Sequence, residues 1–172
     1  GTRKMAFITS GTTVISFATY DDVVDRDQRV FEANEGLTVD VVEDLLIRST
    51  ERILSQLRST DWWRTYYKKQ SSASITSVAD IPSPEATKIL SRKNDFTDLC
   101  VFHSFYYYIM PKIADFSDEN NAERAKIGHY QQKFNDLLGE LITAGDWYDF
   151  DGDLTVESTE KAPSQVNLRR VR

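Results

Sequence analysis

Residues 94–111 read NDFTDLCVFHSFYYYIMP, and this stretch decides the fold. Phe96, Leu99, Cys100, Val101, Phe102, Phe105, Tyr106, Tyr107, Tyr108 and Ile109 place apolar or aromatic side chains at nearly every angle around a helix axis. A helix that is apolar all round has to be covered on every side, so this one is central and the rest of the chain must surround it. Asn94 or Asp95 begins it. Pro111 is expected to stop it, because proline donates no backbone hydrogen bond and its ring clashes with the carbonyl four residues back. With 172 residues, 40% hydrophobic and 12% aromatic, the chain has enough apolar material for one domain around such a helix.

Working outward, the next covering helix downstream is capped by Ser117 and runs to about Ala144, with Ala122, Ile127, Tyr130, Phe134, Leu137, Leu138 and Leu141 as its apolar stripe. Gly145 closes it. Upstream, Ser83-Pro84-Glu85 predicts a helix of two or so turns to about Leu90, with proline at its first position and Pro82 before it. Thr38 caps a long helix from Val39 to about Arg58, whose buried stripe is Val42, Leu46, Ile53 and Leu57, flanked by Leu45 and Leu54. Thr60-Asp61 starts a further turn or two carrying Trp62, Trp63, Tyr66 and Tyr67, after which Ser71 to Ser77 reads as a loop. Those four aromatics cover more than one helix face, so they either wedge into the chain's own core or contact another subunit. Thr19-Tyr20-Asp21-Asp22 opens a short helix to about Glu32, ended by Asn34-Glu35-Gly36. Met5 to Thr9 and Thr13 to Phe17 flank Ser10-Gly11-Thr12 and predict a hairpin or extended arm, which must lean on the helices or on a neighbour. The expected architecture is mainly α: an N-terminal hairpin or arm over 1–18, a helical bundle over 19–145, an acidic loop over 146–160 and an extended basic arm over 161–172.

The charge pattern supports that division. Residues 113–160 hold twelve acids and three bases, residues 161–172 hold one lysine and three arginines, and the whole chain carries −6. That overall sign disfavours a domain devoted to phosphate neutralisation. No apolar run approaches the ~18 residues of a membrane span, and no secretory leader pattern opens the chain. Cys100, the single cysteine, excludes an internal disulfide and a Cys-rich zinc site, and its apolar neighbours make it a buried hydrophobe.

Catalytic motifs are missing. The seven glycines form no phosphate cradle, and the sequence has neither a GxSxG elbow nor an HExxH pair. His103 lies in the most apolar helix with no acid three or four residues away, so it reads as a core or interface histidine; His129 reads as solvated. Asp21-Asp22 and Asp118-Glu119 read as first-turn partners of helix dipoles rather than an acid–base pair. No enzyme is expected.

The sharpest local pattern is Asp149 to Glu160. Set against a calcium loop, Asp149, Asp151 and Asp153 fall at positions one, three and five, Thr155 at seven, Glu157 at nine and Glu160 at twelve. Leu154 stands where glycine normally makes the sharp turn, and holding a leucine in the left-handed region costs about 1 kcal/mol. Lys161-Ala162-Pro163 follows where a second helix would begin. The alternative is an acidic turn organised by hydrogen bonds to its own carboxylates.

The helical order, the aromatic Phe96–Pro111 helix, the long last helix, Asp146-Trp147-Tyr148-Asp149-Phe150-Asp151-Gly152-Asp153, Glu160-Lys161-Ala162-Pro163 and the ending Leu168-Arg169-Arg170-Val171-Arg172 together resemble the head–tail adaptor (connector) proteins of tailed bacteriophages. The resemblance implies a virion structural protein without catalytic residues. Such a protein stands in a ring, usually of twelve copies, beneath the portal at the virion neck, and before assembly it is in the host cytoplasm. Its expected partners are the portal protein, a neck, stopper or tail protein below, its own copies, and viral DNA passing without sequence-specific contact; no membrane is involved. Lys161, Leu168, Arg169, Arg170, Val171 and Arg172 form the expected docking arm, and Trp62, Trp63, Tyr66 and Tyr67 are candidate contact residues. Two other readings rest on the residues alone: a calcium-stabilised interaction module centred on Asp149 to Glu160, and a small helical DNA-binding protein using Arg169, Arg170 and Arg172.

Overall fold

A computed structural model describes residues 7–70, 77–114, 117–118, 121–150 and 153–156. Strands β1 (Ile8–Ser10) and β2 (Thr13–Ser16) form an antiparallel hairpin with Ser10 opposite Thr13, and the helices follow as α1 (Tyr20–Arg26), α2 (Gln28–Ala33), α3 (Val39–Arg58), α4 (Asp61–Gln70), α5 (Lys93–Ser104), a π-helical segment (Phe105–Ile109), α6 (Met110–Ile113) and α7 (Ala122–Ala144). The expected helical bundle with an N-terminal hairpin is what forms. The covering of α5 comes from α3 and α7, with Phe96, Leu99, Cys100, Val101, Phe102 and His103 all buried between them. No helix among the described residues is long and apolar enough to cross a membrane.

The hairpin leans on its own helices. Gly11, at φ +64, takes the turn position that a two-residue hairpin loop gives to glycine. Just past β2, the Phe17 N–H donates to Thr50 Oγ1 of α3 at 3.1 Å, while Thr97 Oγ1 of α5 donates to the Phe17 carbonyl at 2.6 Å. Two buried threonines thus satisfy both backbone groups of one buried residue, and Phe17 packs its ring against Phe7 and Phe96. The caps at Thr19, Thr38 and Gly145 form as the sequence predicts, with Thr19 and Asp22 completing a capping box.

Four boundaries differ from expectation. The helix expected to run from Thr19 to Glu32 breaks at Asp27, whose carboxylate leaves the helical path to accept from Lys126 Nζ at 2.6 Å and the Tyr130 hydroxyl at 3.2 Å on α7. The two-turn helix expected after Pro84 is a single 3₁₀ turn, Ala86–Lys88, because the chain then extends so that Ile89 pairs antiparallel with Tyr148. Pro111 does not stop its helix. The widened π turn before it, marked by the Met110 N–H donating to the Phe105 carbonyl five residues back, carries the chain past proline to Ile113. The last helix starts at Ala122 under Asn121, whose side-chain oxygen accepts from the Arg124 N–H at 3.0 Å; Ser117 is not its cap, and Asp118 lies outside its first turn.

Candidate functional site

The chain leaving α7 turns back onto the body and is rooted there by aromatic side chains. Gly145 adopts φ +54 and its N–H donates to Leu141, ending the helix. The next residues lie against segment 81–90 in a short ladder, with the Leu90 N–H donating to the Trp147 carbonyl at 3.0 Å and the Asp149 N–H to the Lys88 carbonyl at 2.9 Å. Trp147 Nε1 donates to the Leu141 carbonyl at 2.8 Å, and the Tyr148 hydroxyl accepts from the Glu85 N–H at 2.9 Å, so both polar tips are satisfied where the rings are buried. Burial pushes the Tyr148 phenol well above its ordinary range.

Helix α4 supplies the other wall. Trp63 stacks on Phe150 at 5.1 Å, Tyr66 meets Phe150 at 4.3 Å and Trp62 meets Trp147 at 4.8 Å. Trp63 Nε1 donates to the Pro82 carbonyl at 2.7 Å and Arg58 Nε to the Ile81 carbonyl at 2.6 Å, which fastens segment 81–90 to α3 and α4. Of the four aromatics, Trp63 and Tyr66 are buried within the chain, whereas Trp62 and Tyr67 keep part of their surface. Trp63 and Tyr66 therefore wedge into the chain's own core.

Beyond this root lies the predicted acidic loop. Asp149 is buried, and its carboxylate accepts the Leu154 N–H at 3.0 Å; Asp153 Oδ1 accepts both the N–H and the hydroxyl of Thr155 at 3.0 Å. These are the bonds expected of a carboxylate-organised turn. Leu154 stands at φ +72 and is 80% exposed, so the residue in the glycine position does adopt the left-handed backbone. Asp151, Glu157 and Glu160 lie outside the described residues. Among the described residues, no group of three His, Cys, Asp or Glu side chains gathers to hold a metal. The arm residues Lys161, Leu168, Arg169, Arg170, Val171 and Arg172 also lie outside them.

A cleft of about 480 Å³ opens beside the turn, lined by Leu90, Ser91, Arg92, Asp146, Leu154, Thr155 and Val156. Arg92 closes one side by a two-pronged ion pair with Asp146, at 2.6 and 3.0 Å, which raises the guanidinium pKa further. Arg92 itself sits at φ +57 ahead of α5, so the two non-glycine residues in the left-handed region among the described residues border one cleft.

The second cluster of polar and aromatic groups surrounds His103. Its ring is fully buried, Nδ1 lies 2.9 Å from Ser49 Oγ on α3, and Nε2 has no hydrogen-bond partner. Desolvation, with a smaller repulsion from Arg52, lowers its pKa to about 4. Of the core or interface histidine the sequence suggests, the structure shows a buried one, and its lack of a carboxylate partner is visible in the local sequence; its contact with Ser49, Arg52 and three tyrosines is not, because it depends on the π turn. Cys100 is buried beside Thr50, and burial pushes its thiol up to about 12. Exposed His129 has the solvated position its sequence suggests. Comparison with family models, with curated proteins and with solved structures finds no match for this chain.

Proposed function

We propose that the chain is a virion structural protein, a head–tail adaptor that stands as a ring beneath the portal of a tailed bacteriophage and joins capsid to neck while DNA passes through. The observation that carries the reading is the aromatic root at Trp147, Tyr148 and Phe150, which holds the chain against the body shortly before the basic segment in sequence. An arm that must find a partner gains from a rigid base, because less of the chain is then ordered on docking. The charge division adds to this: −9 over residues 113–160 disfavours DNA sticking to the body, and +4 over residues 161–172 suits an acidic docking surface. Light scattering of the purified chain with and without its candidate portal protein tests the reading. A portal-bound ring is expected, and a chain whose mass ignores the portal overturns it. Deleting residues 161–172 should abolish portal binding and leave the helical circular dichroism intact; unchanged binding sinks the arm assignment.

One observation favours the alternative of a calcium-stabilised interaction module. Leu154 has the positive φ that position six of a calcium loop requires. Calorimetric titration separates the readings, since the module requires heat and tight binding on addition of calcium, whereas the adaptor assembles without it.

A further inference from the structure

The central helix departs from regular α geometry beside its buried histidine. Between Phe105 and Ile109 its turns widen to the π form, and Pro111 removes another backbone donor one turn on. His103 lies just ahead of this segment and touches all three of its tyrosines. Its ring stacks on Tyr107 at 5.1 Å and 19°, and meets Tyr106 at 5.2 Å and Tyr108 at 5.9 Å edge-on. Ser49 holds Nδ1 from α3, and Phe134 covers the ring from α7 at 5.3 Å. Arg52, one helical turn beyond Ser49, places its guanidinium carbon 4.1 Å above the same Tyr107 ring. Tyr107 is 42% exposed, so a chain of contacts runs from the surface through Arg52 and Tyr107 to a fully buried imidazole.

We propose that the Phe105–Ile109 segment is a hinge latched by neutral His103, and that one added proton on that imidazole releases it. In the tautomer whose Nδ1–H donates to Ser49, Nε2 keeps its lone pair and is where the proton from solvent arrives. Among the described residues, no carboxylate stands beside the resulting cation. The groups facing it are Ser49 and Arg52 from α3, Tyr106, Tyr107 and Tyr108 from its own helix, and Phe134 from α7. Arg52 has the same sign and shares the Tyr107 ring. An imidazolium must therefore leave for water, and the tyrosines packed on it leave too. The π turn opens because its backbone bonds are the least regular of the helix, while Ile53 and Leu57 keep α3 in the core. The device belongs to the helical body and does not depend on whether the chain forms a ring.

The test uses the full chain carrying His129→Gln, which leaves His103 as the single histidine for proton resonance assignment. Amide exchange, corrected for its intrinsic pH dependence, is followed through acidification. The opening equilibrium at residues 105–109 should rise about tenfold per pH unit between about pH 6 and 4, while amides of Leu46 to Ile53 keep their protection. Protection that stays constant while His103 titrates, or that is lost only together with α3, overturns the proposal. In His103→Phe the ring packing remains without the titrating group, so the acid-driven opening should vanish, and its persistence overturns the proposal. Should that variant fail to fold, Arg52→Met serves instead. Removing the neighbouring cation makes the buried imidazolium less unfavourable, so the acid-driven rise in opening should level off at a higher pH and a smaller total, and an unchanged plateau overturns the latch.

Discussion

The molecule builds two dense aromatic clusters, and they differ in whether a buried group within them can take a proton. At the root after α7, the indole N–H groups of Trp63 and Trp147 and the hydroxyl of Tyr148 each meet a backbone partner, and the rings close over segment 81–90. At the π segment, the buried His103 keeps an unpartnered Nε2, and Tyr107 remains open to solvent. Each cluster also leaves a buried nitrogen without a hydrogen-bond partner, Trp62 Nε1 at the root and His103 Nε2 at the π segment, but the indole N–H does not take up a proton on acidification, whereas the imidazole lone pair can. An unpaired buried polar atom favours opening in either cluster because opening gives it water, and acid adds to that only at the imidazole.

The largest expected effect is at the root. Trp63→Ala should cost about 3–5 kcal/mol, read as a lower urea midpoint, because it removes a fully buried indole and uncovers Phe150 and Tyr148. Tyr107→Ala, at a half-open ring, should cost only about 1 kcal/mol. Equal losses would break the comparison.

Acid should act mainly on the other cluster. The folded-state pKa of His103 is lowered to about 4, so the unfolded chain binds the extra proton first. The contribution is complete above about pH 6.5 and is lost as pH falls towards 4, with unfolding taking up about one proton between. From pH 7 to pH 4 the urea midpoint of the parent should fall relative to that of His103→Phe, which lacks the titrating group. Parallel curves would show that His103 does not set the difference.

Smaller changes sharpen the contrast. Leu154→Gly should stabilise the root's turn by about 1 kcal/mol in thermal unfolding, since glycine accepts the φ +72 backbone that leucine holds at a cost. Gly139→Ala sits on α7 between Phe134 and Leu141, where an added Cβ meets nothing within 4 Å. It should raise stability by about 0.5–1 kcal/mol, and the gain should be the same whether His103 or Trp63 is intact. A gain that depends on either residue would show that α7 transmits between the clusters.

What the sequence made legible is local. The Thr38 cap and the buried stripe of α3, the glycine turn at Gly11, the Thr19 box and the Gly145 stop are all written within a few residues. The failures have distant causes. Ile89 extends because Tyr148 lies across from it, Asp27 breaks a helix to reach Lys126 and Tyr130, and Pro111 is tolerated because the preceding turn widens. The root was legible only as an excess of rings: Trp62, Trp63, Tyr66 and Tyr67 carry no local sign of whether their partners lie in this chain, and the structure sets Trp62, Trp63 and Tyr66 against Trp147, Tyr148 and Phe150 while Tyr67 packs on Trp63. For the His103 cluster, Pro111 was the available signal, because in an ordinary helix its ring would clash with the carbonyl of Tyr107 and leave it without its backbone donor.

Cys100 turns the core into its own clock. It is the chain's single thiol, it is fully buried, and burial pushes it up to about 12, so alkylating reagents reach it only when the α3–α5 contact parts. The rate of its modification under native conditions therefore times the opening of the centre without any engineered probe. A cysteine placed at exposed His129 would label at once while Cys100 stayed silent, giving one surface reporter and one interior reporter in the same molecule.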